Sequence, residues 1–170
     1  MQIKELQSRE LLAHKMRQPV WLVILFVFGL LSTGTGWAGE IENACTDLVL
    51  DYAFYRDRMD ADPFANLFAE DAVLTVLGEV YTGRKAIRQR LVEGQNGPVT
   101  RHMMSTIRIF VQDENTASGV SYVTVYGAPG GEFPIKVEGF MGLGEYHDKF
   151  VRTTDGWKIS RRTFVPVFTN

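Results

Sequence analysis

The segment Thr100-Arg101-His102-Met103-Met104-Ser105-Thr106-Ile107-Arg108-Ile109-Phe110-Val111 decides how this chain is read. Apolar and β-branched residues alternate with polar ones after the Asn96-Gly97-Pro98 loop, which is the pattern of a long strand. Strict alternation puts His102, Met104, Thr106 and Phe110 on one face and Met103, Ile107, Ile109 and Val111 on the other. Both faces are substantially apolar, so both are expected to be covered: one by helices of the same chain, the other by a second copy in a homodimer or homotrimer. The chain has three histidines. His14 precedes an apolar leader and His147 lies among charges in Glu145-Tyr146-His147-Asp148-Lys149, so His102 is the one best placed to face an interior. A lone strand histidine is most often a hydrogen-bonded core residue, and it becomes a candidate for chemistry only when a partner for its ring is identified.

The length of 170 residues, 45% of them hydrophobic and 22% charged, fits one globular domain with an ordinary core. Ahead of that domain, Lys15 and Arg17 precede the apolar run Val20-Trp21-Leu22-Val23-Ile24-Leu25-Phe26-Val27-Phe28-Gly29-Leu30-Leu31, and small residues then lead to Gly36-Trp37-Ala38. This is the layout of a secretory signal, and the run is short for a spanning helix, which needs about 20 apolar residues. Residues 1–38 are therefore expected to be a signal peptide cleaved after Ala38, with an uncleaved inner-membrane anchor as the alternative and Met16 as an alternative start. Residues 39–170 are then an exported domain, periplasmic or secreted. No stripe of Lys and Arg offers itself to phosphates, so nucleic acid is not an expected partner. The single cysteine, Cys45, has no internal partner and is expected to be a buried thiol.

Helical spacing of Leu48, Tyr52, Tyr55 and Met59 predicts a helix from Asn43, capped by Asn43 or Thr46. Asp57, Asp60 and Asp62 crowd its end, where backbone carbonyls disfavour negative charge. Asp62-Pro63 is expected to open a short helix through Phe64, Leu67 and Phe68. A hairpin follows around Gly78-Glu79, and then a helix over 82–91, capped by Thr82 and ended by Gly94. Three further strands are expected over 117–126, 135–152 and 157–165, with Gly139, Gly142 and Gly144 marking bulges. Helices first and strands last make an α+β fold. The expected form is a strongly bent antiparallel sheet, a cone-like barrel with about three helices over its concave face.

Asp57 ahead of Phe64-Ala65-Asn66-Leu67-Phe68-Ala69-Glu70-Asp71-Ala72-Val73, then Tyr81-Thr82-Gly83-Arg84-Lys85-Ala86-Ile87, Arg101-His102 and Asp155-Gly156-Trp157-Lys158-Ile159-Ser160-Arg161-Arg162, resembles the nuclear transport factor 2-like superfamily. Within it the chain is most similar to the SnoaL-like group that includes scytalone dehydratase, bile-acid 7α-dehydratase and hexachlorocyclohexane dehydrochlorinase. The resemblance covers residues 41–168. It implies that Asp57 pairs with His102, that Tyr52 assists at a leaving group or oxyanion, and that Arg162 corresponds to an arginine on the last strand of the dehydrochlorinase. The second histidine of scytalone dehydratase has no counterpart in Val125-Tyr126-Gly127, which argues against that substrate.

An imidazole held in one tautomer by a carboxylate is a competent base near neutral pH. Tyr52 could then donate to developing charge, and Arg162 could hold a carboxylate or halide-like leaving group. On a straight helix Tyr52 and Asp57 lie about 140° apart, so they are expected to converge only where the helix ends before Asp57. The expected cavity wall comprises Tyr55, Phe68, Tyr81, Met104, Tyr122, Phe140 and Tyr146, suited to a small hydrophobic cyclic molecule, although the same residues also read as core. Gly139-Phe140-Met141-Gly142-Leu143-Gly144 lacks the order and following helix of a dinucleotide loop, and no histidine pair has zinc-ligand spacing. Neither cofactor nor metal is expected. The favoured reading is a cofactor-independent lyase or isomerase with Asp57, His102, Tyr52 and Arg162 as catalytic residues. The alternatives are a non-catalytic small-molecule-binding domain and an accessory or assembly domain of the same fold.

Overall fold

The computed structural model describes residues 36–170. In chain order the elements are α1 (Gly36–Arg58), α2 (Ala61–Asn66), β1 (Phe68–Val76), β2 (Glu79–Thr82), α3 (Arg84–Glu93), a 3-10 turn (Gly94–Asn96), β3 (Val99–Val111), β4 (Thr116–Ala128), β5 (Phe140–Thr153) and β6 (Gly156–Thr169). The apolar leader, its basic flank and His14 lie outside the described residues. No helix among the described residues is long and apolar enough to cross a membrane.

The strands form one six-stranded curved sheet in the order β2-β1-β6-β5-β4-β3. Successive strands β3 to β6 reverse direction at each step, but β6 then lies parallel to β1. The sheet is therefore mixed where a wholly antiparallel one was expected, because strand composition does not encode which earlier strand the last one will join. It also stays open, with β2 and β3 as its edges, and is not a closed barrel.

β3 departs from simple alternation in a way that matters for the site. Its register against β4 slips between Ser105 and Arg108, and Thr106 takes a φ of 48°. Such a bulge shifts the side-chain phase. His102 and Met104 face inward before it, and Ile107, Ile109 and Val111 pack on the core after it. Phe110, which strict alternation had placed with His102, is exposed instead. One strand thus supplies a polar site at one end and an apolar wall at the other.

α1 spans Gly36–Arg58, so Asn43 and Thr46 lie within it and do not cap it. Ile41, Cys45, Leu48, Val49 and Tyr52 recur at helical spacing and join Phe64, Phe68, Leu74, Ile87, Leu91, Val123, Phe150 and Ile159 in one buried cluster. Asp60, not Asp62, precedes α2; Asp62 instead accepts a hydrogen bond from Arg88 of α3 at 2.6 Å. α3 starts after Gly83 rather than at a Thr82 cap, and the φ of 85° at Gly83 is one that glycine adopts without strain.

At Gly144 the β5–β6 register slips, and a Cβ there would meet the Val165 carbonyl oxygen and lie 2.6 Å from the Phe164 ring. Gly142 has its nearest such neighbour at 3.7 Å, an ordinary contact. Overpacking a close approach typically costs about 1–3 kcal/mol. Gly144→Ala is expected to lower unfolding stability by about that amount in urea melts, and Gly142→Ala by clearly less. Equal losses in the two variants would show that the β5–β6 approach at Gly144 is not tight.

Candidate active site

The last turn of α1 carries Asp57, and β3 carries Thr100 and His102 two residues apart, on one face of the strand. Asp57 Oδ1 lies 2.6 Å from His102 Nδ1, and Asp57 Oδ2 accepts the His102 backbone N–H at 2.8 Å. The Thr100 hydroxyl donates to Asp57 Oδ1 at 3.0 Å. Both side chains of the pair are 8% exposed. Burial works against ionisation of Asp57, but the His102 ring, the His102 N–H and the Thr100 hydroxyl outweigh it and hold the carboxyl below the usual carboxylate range. An ionised carboxylate only accepts, so Nδ1 carries the proton and Nε2 is left as the basic nitrogen. Among the described residues Nε2 has no hydrogen-bond partner.

α1 remains helical through Asp57, contrary to the expectation that it must end first. Tyr52 and Asp57 stay on different sides of the helix, and the imidazole bridges the angle between them. Asp57 bonds one edge of the ring, while Tyr52 meets it edge-on with centroids 6.5 Å apart.

Over His102 and Tyr52 opens a cavity of about 230 Å³. Of the wall residues expected from sequence, Tyr146 lines it. Phe68 is wholly buried behind Tyr52, with ring centroids 6.2 Å apart. Tyr55, Tyr81 and Met104 pack half-buried against the core, off the wall. Tyr122 is 43% exposed on the outer face, because the phase of β4 turns Val123 and Val125 inward. Phe140 stands opposite Tyr126, one register slip away from the wall residue Gly142. The wall comes instead from Val76, Leu77, Pro98, Val125, Met141 and Phe164, with Pro166, Phe168 and Thr169 from a β6 longer than expected. Arg56 and Arg90 complete it.

Arg162 is placed behind this wall. It is fully buried, and its Nε and Nη2 donate to Asp148 Oδ1 and Oδ2, each at 2.7 Å. Its guanidinium lies 4.1 Å from the Tyr52 ring centroid and 4.5 Å from that of Tyr146. Burial works against its charge, but Asp148 more than compensates and holds the guanidinium above its ordinary value. Burial, followed by the neighbouring Tyr52, pushes the Tyr146 phenol well above its ordinary value. An arginine so enclosed positions two tyrosine rings; it does not present a free guanidinium to the cavity. Sequence reasoning missed Asp148, although it alternates with Tyr146 and Phe150 on the inward face of β5 and stands directly opposite Arg162 in the register. Cys45 is buried as expected, its thiol pushed up to about 12 by burial and by the charge of Asp148. Among the described residues no group of His, Cys, Asp and Glu is arranged to hold a metal ion.

A curved six-stranded sheet with about three helices is the architecture of a nuclear transport factor 2-like domain. The chain belongs to the SnoaL-like family, whose domain matches residues 38–163. The protein Rv2910c of Mycobacterium tuberculosis is 31% identical over 124 residues, covering 71% of this chain and 82% of that protein. Among solved structures, a scytalone dehydratase-like protein of Novosphingobium aromaticivorans superposes with a TM-score of 0.67 at 26% identity, covering 79% of this chain and 89% of that one. LinA superposes with a TM-score of 0.65 at 16% identity over 78% of this chain and 89% of its own, a likeness of fold.

Because Asp57 is held below its unfolded value, the stability it contributes is complete above about pH 4 and is lost as pH falls through the folded value. Urea unfolding followed from about pH 6 to about pH 2 is expected to show a smaller acid-side loss in Asp57→Asn than in the parent. Asp148→Asn leaves Arg162 buried without its counter-charge. It is expected to cost about 3–5 kcal/mol in the same assay at neutral pH; a loss below about 1 kcal/mol would mean that water reaches the guanidinium.

Proposed function

We propose that this domain is a cofactor-independent lyase or isomerase of the dehydratase or dehydrohalogenase type, acting on a small hydrophobic cyclic molecule. The observation that carries the reading is the 2.6 Å Asp57–His102 contact, which leaves Nε2 as the base beside an apolar cavity. In this reading Nε2 takes a proton from a ring carbon. The electron pair of the broken C–H bond becomes the new double bond, and the hydroxyl or halide on the neighbouring carbon departs with its own pair. Asp57 holds the tautomer and stabilises the imidazolium without taking the proton itself. Tyr52, on the cavity wall beside the imidazole, donates to the departing group. Arg162 contributes by fixing the Tyr52 and Tyr146 rings. The similarity to a scytalone dehydratase-like structure supports the reaction class. The outer face of β3 and β4 exposes Met103, Phe110, Tyr122 and Tyr126, which supports a second copy lying over it. Export rests on the leader pattern alone.

The test is a turnover screen over hydroxylated and halogenated cyclic compounds, with folding of each variant followed by circular dichroism. His102→Ala and Asp57→Asn are expected to stay folded and to lose about 10²–10⁴ in kcat/KM. Tyr52→Phe should lose less, mainly with poorer leaving groups. Folded variants that turn over as the parent does would remove the base. Ligand-dependent thermal stabilisation without product in any protein would favour the binding-domain reading.

A further inference from the structure

Arg56 and Arg90 share the cavity wall with His102, and among the described residues the wall carries no carboxylate. Both arginines are half-buried. Neither forms an ion pair among the described residues: Arg56 Nη1 reaches only the Met59 sulfur at 3.0 Å, and Arg90 lies over the Tyr81 ring at 5.3 Å. The neighbouring acids do not pair with them, although Glu79 sits on the same Tyr81 that Arg90 covers. Glu79 accepts the Tyr81 hydroxyl, and Asp57 is held by His102 and Thr100 off the wall. Arg162, the cation that the family resemblance offered for an anion, is closed away by Asp148.

Two permanent cations without an ion-pair partner among the described residues therefore border an otherwise largely apolar space. Arg56 follows Tyr52 by one helical turn, so the two stand on the same side of α1 and both line the cavity. Arg90 approaches from α3. A guanidinium is weakly hydrated and presents a planar fork of donors that matches a carboxylate, which makes such a pair selective for that group.

We propose that the cavity takes a cyclic apolar molecule that bears a carboxylate, with the carboxylate held by Arg56 and Arg90 and the ring lying over His102. This deepens the proposed function and rests on its reading of the cavity as the substrate site.

Calorimetry on the intact chain with naphthoate and naphthamide, near-isosteres that differ in charge, tests it. Naphthoate is expected to bind roughly tenfold or more tightly than naphthamide. Arg56→Gln and Arg90→Gln should each weaken naphthoate by roughly tenfold and leave naphthamide within about twofold. His102→Ala should keep the preference, which separates anion recognition from the base. Naphthoate that fails to bind, that binds no better than naphthamide, or whose preference survives the double arginine substitution overturns the proposal. A parent that lacks the preference but turns substrate over removes the carboxylate and leaves the lyase. A preference that persists where His102→Ala turns over like the parent supports the anion site and removes the lyase.

Discussion

The structure turns on one carboxylate that grips a strand twice. Asp57 bonds both the ring and the main-chain N–H of His102, so the last turn of α1 is tied to β3 at a fixed height and the imidazole is tied to the backbone that carries it. A ring bonded only through its side chain could swing with χ rotation. Here the second oxygen anchors the strand itself, and the Thr100 hydroxyl completes the set from the same face. A negative charge at a helix C-terminus opposes the backbone dipole, which is why the three aspartates after Tyr55 look misplaced. In Asp57 that cost is offset by three hydrogen bonds, and the depressed carboxyl shows that they win.

A second ionic contact lies deeper and has a different role. Arg162 and Asp148 are removed from water together, in a bidentate arrangement, with tyrosine faces covering the guanidinium. Burying an ion pair seldom adds stability over an apolar replacement, so its presence calls for another reason. Its geometry suggests one: the same cation touches Tyr52 and Tyr146, which both line the cavity, and fixes the two rings relative to each other and to the imidazole. Among the described residues the third guanidinium nitrogen, Nη1, finds no partner, so the protein itself satisfies the pair only through Nε and Nη2.

Much of this was legible in the residues, though unevenly. Periodicity carried the elements themselves: Ile87 and Leu91 on α3, the glycine-marked irregularities of β5, and the apolar stripe of α1 all follow from spacing. What spacing does not contain is any signal for a phase change. The bulge at Thr106 inverts the faces of β3 halfway along, and nothing in Ser105-Thr106-Ile107 announces it, so alternation alone puts Phe110 on the wrong face. Tyr122 failed similarly, because an aromatic on a strand fits either face. The parallel join of β1 to β6 is a contact between segments far apart in the chain, beyond any local pattern. The pairing of Asp57 with His102 follows from the family resemblance and not from the residues alone, which lie 45 positions apart.

The arginines show where side-chain identity stops being informative and register begins. Arg56, Arg90 and Arg162 are the same residue type, each near aromatic or apolar neighbours, yet one is sealed in the core and two border the cavity. The difference is the residue across from each. Arg162 faces Asp148 directly in the β5–β6 ladder, so its charge is neutralised where it is buried and it can be enclosed. Arg56 and Arg90 sit on helices, and unlike Arg84 and Arg88 neither pairs with an acid among the described residues. A guanidinium that can be neither paired nor fully buried stays at a boundary with water. The wall of a pocket is such a boundary, and so the charge available to a ligand is the charge that the fold itself could not pair.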